Sequence, residues 1–587
     1  MADAEGMPTL LSLPDELLLE ILRSIDELAH WVDVSLACRR LFALVCSNRT
    51  VLSAALPYSE SLLGGLQIQG PLSKESLSRC HRKFNAFLAA AERTEQNLQQ
   101  LQVHGFHASQ GTADYQQRLA KVVVENGSSL TTLELRGPFQ YTAHTCALDS
   151  LVCGLAAAEP ACALRRLDLS WNSSCDNRAL ASLIHASAGL LELRLDGHSR
   201  VDDLLLRESI APLMPQLTEL SLSKCSELSA GAVANVIATS ASTSLASLDL
   251  SFLRLSLRAV REIFGSAGLR RGLRSLSLAG FTGLSSDAFK EVLCSCEGLT
   301  SIDFSASLVS DDALRHAAVV APLHLAKLRN VHLSECSAVT DDGMSELCNA
   351  AGNALRSLAV GGPFSPLGNA TAQTIGKRCA APLRKLEMSS CRNLGVSGLA
   401  ALAPICGMIE HLDLSDSPTL TSEALGQILR RSGPGCGARL RVLMLRSCDV
   451  AVTDELLADF LPRAHALRTL DLAFCTSLTD LTAMCIATAR ARALRNLRHL
   501  DLNGCNRFSS ARGQPTLLKA CRATGATAAM RLVHSFEGDE EVYECCASPV
   551  EVAAEGAQAP APQGRSRDAR VRDAERVSLR LSELAVN

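Results

Sequence analysis

The apolar positions of this chain recur in blocks. A run of leucine-x-x-leucine-x-leucine-x-x, closed by Cys, Asn or another residue, appears fifteen times between Leu98 and Cys505. Its first position falls at Leu98, Leu130, Leu164, Leu190, Leu217, Leu245, Leu273, Leu299, Leu328, Leu355, Leu383, Ile409, Leu440, Leu467 and Leu497. From Leu164 onward successive blocks stand 26 to 31 residues apart. Self-similarity at that period marks a stacked architecture in which each unit contacts only its neighbours.

One unit carries the physical reading. In Leu467-Arg468-Thr469-Leu470-Asp471-Leu472-Ala473-Phe474-Cys475, Leu470 and Leu472 alternate with polar neighbours. That is the two-residue period of a half-buried strand. The leucines are expected to point inward, and Thr469, Asp471 and Ala473 to the opposite face. A turn through Thr479-Asp480 follows, then a helical stretch over residues 481–490. Thr479 or Asp480 is placed to accept a free amide of the first helical turn. Similar openings stand at Ser310-Asp311, Thr340-Asp341, Thr421-Ser422 and Thr453-Asp454. Each unit therefore reads as strand, turn, capped helix and return loop, and its strands pair in parallel across helical crossovers. The predicted fold class is α/β, a solenoid with a concave parallel sheet and convex helices.

Some units depart from the pattern. Those beginning at Leu98 and Leu130 are long, with steps of 32 and 34 residues. The unit at Leu355 carries Gly361-Gly362-Pro363 where the closing position falls, which predicts an irregular loop. His198, Leu253, Phe281, Ser307 and Ser417 take the closing position elsewhere.

The periodicity resembles the cysteine-containing subclass of leucine-rich repeats, whose pattern runs Cys-x-x-Leu-x-x-Leu-x-Leu-x-x-Cys-x-x-Leu-Thr-Asp-x-Gly-Leu. Leu328, Val331, Leu333, Cys336, Val339, Thr340, Asp341, Gly343 and Met344 match it. The resemblance implies a leucine-rich-repeat solenoid of about fifteen repeats over residues 98–530.

The N-terminal segment has a different pattern. Leu13-Pro14-Asp15-Glu16 reads as a helix start, with proline early and acids in the first turn. Leu17, Leu18, Ile21, Leu22 and Ile25 follow at helical spacing, and a second helix is expected over residues 32–45. Helices this short bury little by themselves and need a docking partner. Leu13, Pro14, Glu16, Leu17, Leu18, Ile21 and Leu22, with Cys38, Arg39 and Leu41 downstream, resemble the F-box. An F-box ahead of cysteine-type repeats is similar to the F-box/leucine-rich-repeat family. The resemblance implies an F-box over residues 10–52 that binds the Skp adaptor, and through it a cullin scaffold, in a ubiquitin ligase. It also implies Leu13, Pro14, Glu16, Leu17, Ile21, Leu22, Cys38, Arg39 and Leu41 as the contact set. An amphipathic helix that merely caps the solenoid has the same apolar spacing. Residues 53–97 read as a helical connector, and residues 531–587 as a flexible tail whose stretch 547–564 is rich in Ala, Pro, Glu and Gly.

Composition narrows the function. The chain has 587 residues, 47% hydrophobic and only 4% aromatic, so leucine and alanine carry the core. The net charge of −4 gives no global argument for nucleic acid or for an anionic membrane surface. Residues 1–14 lack the basic and apolar regions of a secretion signal. No stretch approaches the roughly 18 apolar residues of a membrane span. The expected location is cytoplasmic, nuclear or both, where thiols stay reduced. Of the 23 cysteines, Cys225, Cys336, Cys391, Cys448, Cys475 and Cys505 all close the repeat, which marks them as packing groups and not metal ligands. No phosphate loop, nucleophile elbow or metalloprotease motif is present, so no cofactor and no catalysis are expected.

Recognition of a protein substrate then falls to the outward strand positions. Those between the inner leucines include Asp168, Arg194, Asp249, Asp303, His332, Glu387, Asp413, Asp471 and Asp501. A basic segment would complement such a row, while the plainer reading is a solvated strand face. No convergent basic cluster is read in the repeats. Two functions follow: a substrate-recognition subunit of a Skp–cullin–F-box ligase, or a ligase-independent repeat scaffold whose N-terminal helices cap the solenoid.

Overall fold

A computed structural model of the chain describes residues 51–55, 98–104, 113–137, 148–157, 162–172, 175–239, 244–379, 383–429, 439–508, 512–521, 530–536 and 539–545. The described strands form one sheet. They are β1 (Val51–Ala55), β2 (Gln100–His104), β3 (Thr132–Arg136), β4 (Arg166–Asp168), β5 (Glu192–Arg194), β6 (Glu219–Ser221), β7 (Ser247–Asp249), β8 (Ser275–Ser277), β9 (Ser301–Asp303), β10 (Asn330–His332), β11 (Ser357–Gly361), β12 (Lys385–Ser389), β13 (His411–Asp413), β14 (Val442–Met444), β15 (Thr469–Asp471), β16 (His499–Asp501), β17 (Met530–Phe536) and β18 (Asp539–Cys545). Each pairs with its neighbour in sequence, in parallel from β1 to β17, and β18 closes the series antiparallel to β17. Helices fill most crossovers, as at Asn177–Ala186, Asp311–Val320, Asp341–Ala351 and Asp480–Arg492. The molecule is a leucine-rich-repeat solenoid.

The leucine spacing produces the core directly. All fifteen first-position residues, from Leu98 to Leu497, are at most 3% exposed. The central leucines of β4, β5 and β6 align as Leu167, Leu193 and Leu220 across the register, each fully buried. Stacking such residues removes roughly 2 kcal/mol worth of apolar surface per side chain from water, which a single repeat could not do alone.

Polar groups are coupled between repeats as tightly as the leucines. The expected helix caps form at Thr340, Thr453 and Thr479, whose hydroxyls accept from Asp342, Leu456 and Leu481 amides at 3.2, 3.3 and 3.3 Å. The acid one residue later reaches across to the next repeat. Asp311 accepts from the Thr340 amide at 2.7 Å and its hydroxyl at 2.6 Å. Asp454 accepts from the Thr479 amide at 3.1 Å, the Thr479 hydroxyl at 2.7 Å and the Thr482 amide at 3.2 Å. Asp203, Asp341 and Asn369 serve the repeats after theirs in the same way. Each Thr-Asp pair thus caps two helices, its own and the following one.

The closing cysteines supply a second link. Thiols of Cys225, Cys336, Cys448, Cys475 and Cys505 donate to the Leu195, Phe304, Leu414, Leu445 and Leu472 carbonyls of the preceding repeat, at 3.1 to 3.3 Å. Burial pushes the thiols of Cys225, Cys391, Cys448 and Cys505 up to about 12, which keeps them protonated and able to donate. Asn172 does the same for the Leu135 carbonyl with its amide. At His198, burial lowers the ring to about 4, so a neutral imidazole fills this place.

Two features correct the sequence reading. The sheet begins at β1, inside the segment read as the end of the F-box and the start of a helical connector. It also continues past residue 530: β17 and β18 occupy part of the tail expected to be flexible, and their antiparallel hairpin covers the open edge of β16. Near this end of the stack the fully buried Arg490 donates to the Leu494 and Leu497 carbonyls at 2.5 and 2.7 Å, tying off its helix end. The short apolar runs in β1 and β17 lack the repeat's spacing and gain their strand geometry from the neighbour they pair with.

The shared caps are testable at Asp454. Burial raises its pKa, but hydrogen bonds from Thr482 and Thr479 outweigh that and leave it depressed. Its stabilisation is therefore complete above the ordinary carboxylate value of about 3.9 and is lost as pH falls through the lower folded value. Asp454→Ala is expected to cost roughly 1–2 kcal/mol at pH 7 in urea unfolding, with the difference from the parent shrinking in acid.

Candidate interaction surface

The strand register collects the candidate concave residues into one file. Glu134, Asp168, Arg194, Ser221, Asp249, Ser277 and Asp303 follow one another across β3 to β9. His332, Ala359, Glu387, Asp413, Met444, Asp471 and Asp501 continue it to β16. The nine predicted residues do share a face, but most of the carboxylates are already engaged.

The aspartates turn into the chain that follows them. Asp168, Asp249, Asp303, Asp413, Asp471 and Asp501 accept the amides of Ser170, Ser251, Ser305, Ser415, Ala473 and Asn503, two residues on, at 2.8 to 3.0 Å. This side-chain turn is the local alternative to a backbone turn that aspartate favours. Asp168 and Asp471 are fully buried and Asp501 nearly so, which corrects their reading as contacts for a basic substrate. The short polar linker brings each carboxylate down to its own backbone, where it shapes the surface from beneath.

Charge pairing takes up most of the rest. Asp168 meets Arg136 at 2.6 Å, and Arg166 bridges Glu134 and Glu192 at 2.8 and 2.9 Å. Arg194 pairs with Glu219. Burial alone would raise Glu387, but His411 at 3.1 Å and Lys385 at 2.8 Å outweigh it and hold the carboxyl down to about 2. His332 stays half-buried, and its side chain makes no hydrogen bond or ion pair among the described residues. Asp471 behaves oppositely: burial lifts it to about 6, and its Oδ2 has no hydrogen-bond partner.

The exposed chemistry lies one turn further, on the rim at the carboxyl ends of the strands. From Trp171 to Gly504 every repeat places its eighth position at positive φ, between 53° and 122°. This left-handed residue lets the chain leave the strand and return to the closing position. Three of these positions are aromatic, and glycine follows one repeat later: Trp171 then Gly197, Phe252 then Gly280, Phe474 then Gly504. A Cβ on each of these glycines would collide with the preceding ring. The rings therefore lie flat along the rim, each over the neighbouring repeat. Lys224 sets its ammonium 5.0 Å from the Trp171 ring and 4.6 Å from the Phe252 ring, and Arg446 covers Phe474 at 4.8 Å. Phe252 and Phe474 keep 48% and 41% exposure. In the irregular loop after β11, Gly361 and Gly362 adopt positive φ and Phe364 stands 83% exposed. Flat aromatic faces beside cations are the groups that dominate binding energy at protein interfaces.

No family model matches the chain. A stretch of 70 residues is 41% identical to F-box/LRR-repeat protein 4 of Bos taurus, covering 12% of this chain and 10% of that protein. The match spans about a tenth of the relative's length. Among solved structures, one chain of the yeast Rad7 and Elc1 complex aligns over 77% of this chain and 94% of its own, at 15% identity and TM-score 0.46. An internalin (inlF) from Listeria monocytogenes aligns over 71% of this chain and 89% of its own, at 16% identity and TM-score 0.35. The fold assignment rests on the strand pairing and leucine burial above.

The nine residues of the proposed Skp contact set, Leu13, Pro14, Glu16, Leu17, Ile21, Leu22, Cys38, Arg39 and Leu41, lie outside the described residues. Sequence reasoning also missed the aromatic rim. Its signal was present as an aromatic at the eighth position answered by glycine one repeat later.

Two outcomes follow. Gly280→Val forces a β-branched side chain into left-handed backbone against the Phe252 ring, and is expected to lower stability by about 2 kcal/mol or more in urea unfolding. For Asp471, a folded pKa above the unfolded value means its stabilisation is present below about pH 4 and lost as pH rises through 6. Asp471→Asn keeps an acceptor for the Ala473 amide, so it is expected to gain stability over the parent at pH 7.5, on the order of 2 kcal/mol, and little or none at about pH 3.5.

Proposed function

We propose that this protein is a substrate-recognition subunit of a Skp–cullin–F-box ubiquitin ligase. The observation that carries the reading is the order of its parts. A segment reading Leu13-Pro14-Asp15-Glu16-Leu17-Leu18 and Ile21-Leu22 stands ahead of a solenoid of cysteine-closed repeats. The stretch shared with an F-box/LRR-repeat protein supports it. In this reading the N-terminal helices dock on the Skp adaptor through Leu13, Pro14, Leu17, Ile21 and Leu22. The solenoid holds the protein to be modified, with Trp171, Lys224 and Phe252 on its rim as the central anchor. The chain performs no chemistry itself; it raises the effective concentration of a target lysine near a loaded enzyme. Its place of action is the cytoplasm or nucleus.

A second reading draws on one feature. Strand β1, which follows the N-terminal segment in sequence, pairs with β2 at the first edge of the described sheet. Helices placed there suit a cap, which would make the protein a ligase-independent scaffold.

Co-purification with the Skp adaptor separates the two. Stoichiometric capture by the intact chain, abolished in Leu17→Asp/Ile21→Asp with the far-ultraviolet circular dichroism unchanged, is the expected result. Absence of capture by the intact, folded chain would leave the scaffold reading in its place.

A further inference from the structure

The two rims of the sheet differ in charge, and net charge conceals it. At the amino ends of the strands, the residue after each first-position leucine is held in line by main-chain hydrogen bonds between neighbouring repeats. The Arg356 amide donates to the Arg329 carbonyl at 2.7 Å, and Arg384 to Arg356 at 2.8 Å. Glu410, Arg441, Arg468 and Arg498 continue the same file at 2.7 to 2.8 Å. Six arginines and one glutamate therefore stand at consecutive positions of one straight ladder. The sequence reading found no basic cluster here because these residues are 26 to 31 positions apart along the chain.

Three of the six guanidinium groups have no partner among the described residues. Arg329, Arg356, Arg441 and Arg468 are exposed, and Arg384 and Arg498 half-buried. Arg329, Arg356 and Arg468 make no side-chain hydrogen bond or ion pair among the described residues. Arg441 meets Glu410 at 3.3 Å in a solvated pair, which offsets only one charge of the file. The return segments that build this rim add Lys327 and Arg439, and among their described residues Glu410 is the one acid. Like charges aligned in one file, three of them with no side-chain partner among the described residues, raise the energy of the free protein, and an anionic ligand lowers it.

The shape of the row limits what fits. Six strand steps at about 4.8 Å span roughly 29 Å. An extended polypeptide advances about 3.3 Å per residue, so eight or nine residues cover the ladder, with side chains of one face returning every 6.6 Å or so. The described rim segments contain no Phe, Tyr or Trp, so they offer no stacking platform of the kind that single-stranded nucleic acid uses. We propose that this arginine ladder is a docking surface for an extended acidic segment of a partner protein, distinct from the aromatic rim on the opposite edge. Arginine forks pair carboxylates bidentately, which gives the surface direction as well as charge.

The test uses the full-length chain and a fluorescein-labelled nonaglutamate peptide, read by fluorescence anisotropy. Saturable binding is expected, weakening about tenfold or more between about 50 and 200 mM salt. Arg356→Glu/Arg468→Glu, whose side chains hold nothing in the fold, is expected to weaken binding at least about tenfold with unchanged circular dichroism, because both reversals meet the ligand directly. Arg207→Glu, on the convex side at Leu206–Ile210, is the control and should bind as the parent does. Absent binding, or binding retained in the double variant, would overturn the proposal. So would a 20-base-pair DNA duplex that binds more tightly than the peptide and is lost in the same variant, since that makes the ladder a phosphate-backbone surface. The outcome does not depend on the N-terminal segment, so it leaves the ligase reading unaffected either way.

Discussion

The fixed lateral register between repeats is the constraint on which everything else depends. A unit of fewer than about thirty residues has no core of its own, so each must satisfy the next. Leucines do this for apolar surface, but the polar groups show how strict the register is. A thiol or amide at the closing position reaches one carbonyl of the preceding repeat. An acid after the helix cap reaches the helix start of the following repeat. A shift by one residue would unpair both, burying donors and acceptors at a cost of about 1–3 kcal/mol each. The stack can therefore slide in neither direction, and every surface position inherits that alignment.

Alignment is what turns scattered residues into surfaces. The sheet presents three parallel files with different character. The concave centre is lined by aspartates that serve the backbone, flanked by ion pairs in the first repeats. The rim at the carboxyl ends of the strands carries flat aromatic rings with cations against them. The opposite rim carries a file of arginines, of which Arg329, Arg356 and Arg468 have no side-chain partner among the described residues. The row that looked most suited to recognition, the aspartates between the leucines, is the one most occupied by structure. The two rims, built from positions that the leucine pattern leaves unspecified, hold the chemistry that is free to meet a partner.

The left-handed rim residue explains how bulky side chains come to lie there. Positive φ at the eighth position directs its side chain along the solenoid axis, toward the next repeat. An aromatic ring fits only if the next repeat has no Cβ in its path, which is why Gly197, Gly280 and Gly504 follow the three aromatics. Lys224 has a long, slim side chain and can occupy the position between two rings without displacing either. The same geometry fails at Gly361-Gly362-Pro363, where two glycines are followed by a residue that cannot donate a main-chain bond, and Phe364 is turned out to solvent.

The sequence alone determined the repeat unit, its period, its inward leucines, a helix cap at Thr or Asp and the packing role of the closing cysteine, because each of these acts over a few residues and recurs; that the acid and the thiol also bond to the neighbouring repeat came from the structure. It also placed Asp168, Asp471 and the other aspartates on one face through the two-residue period of a strand. Only the tertiary structure decided which of them remain available, because the carboxylate's partner is a backbone amide whose position depends on the turn that follows. It alone added β1, β17 and β18, whose strand geometry comes from pairing at the ends of the stack and not from any periodicity of their own. It alone assembled the arginine file, since charges nearly thirty residues apart become neighbours only when every repeat contributes one strand to a common register.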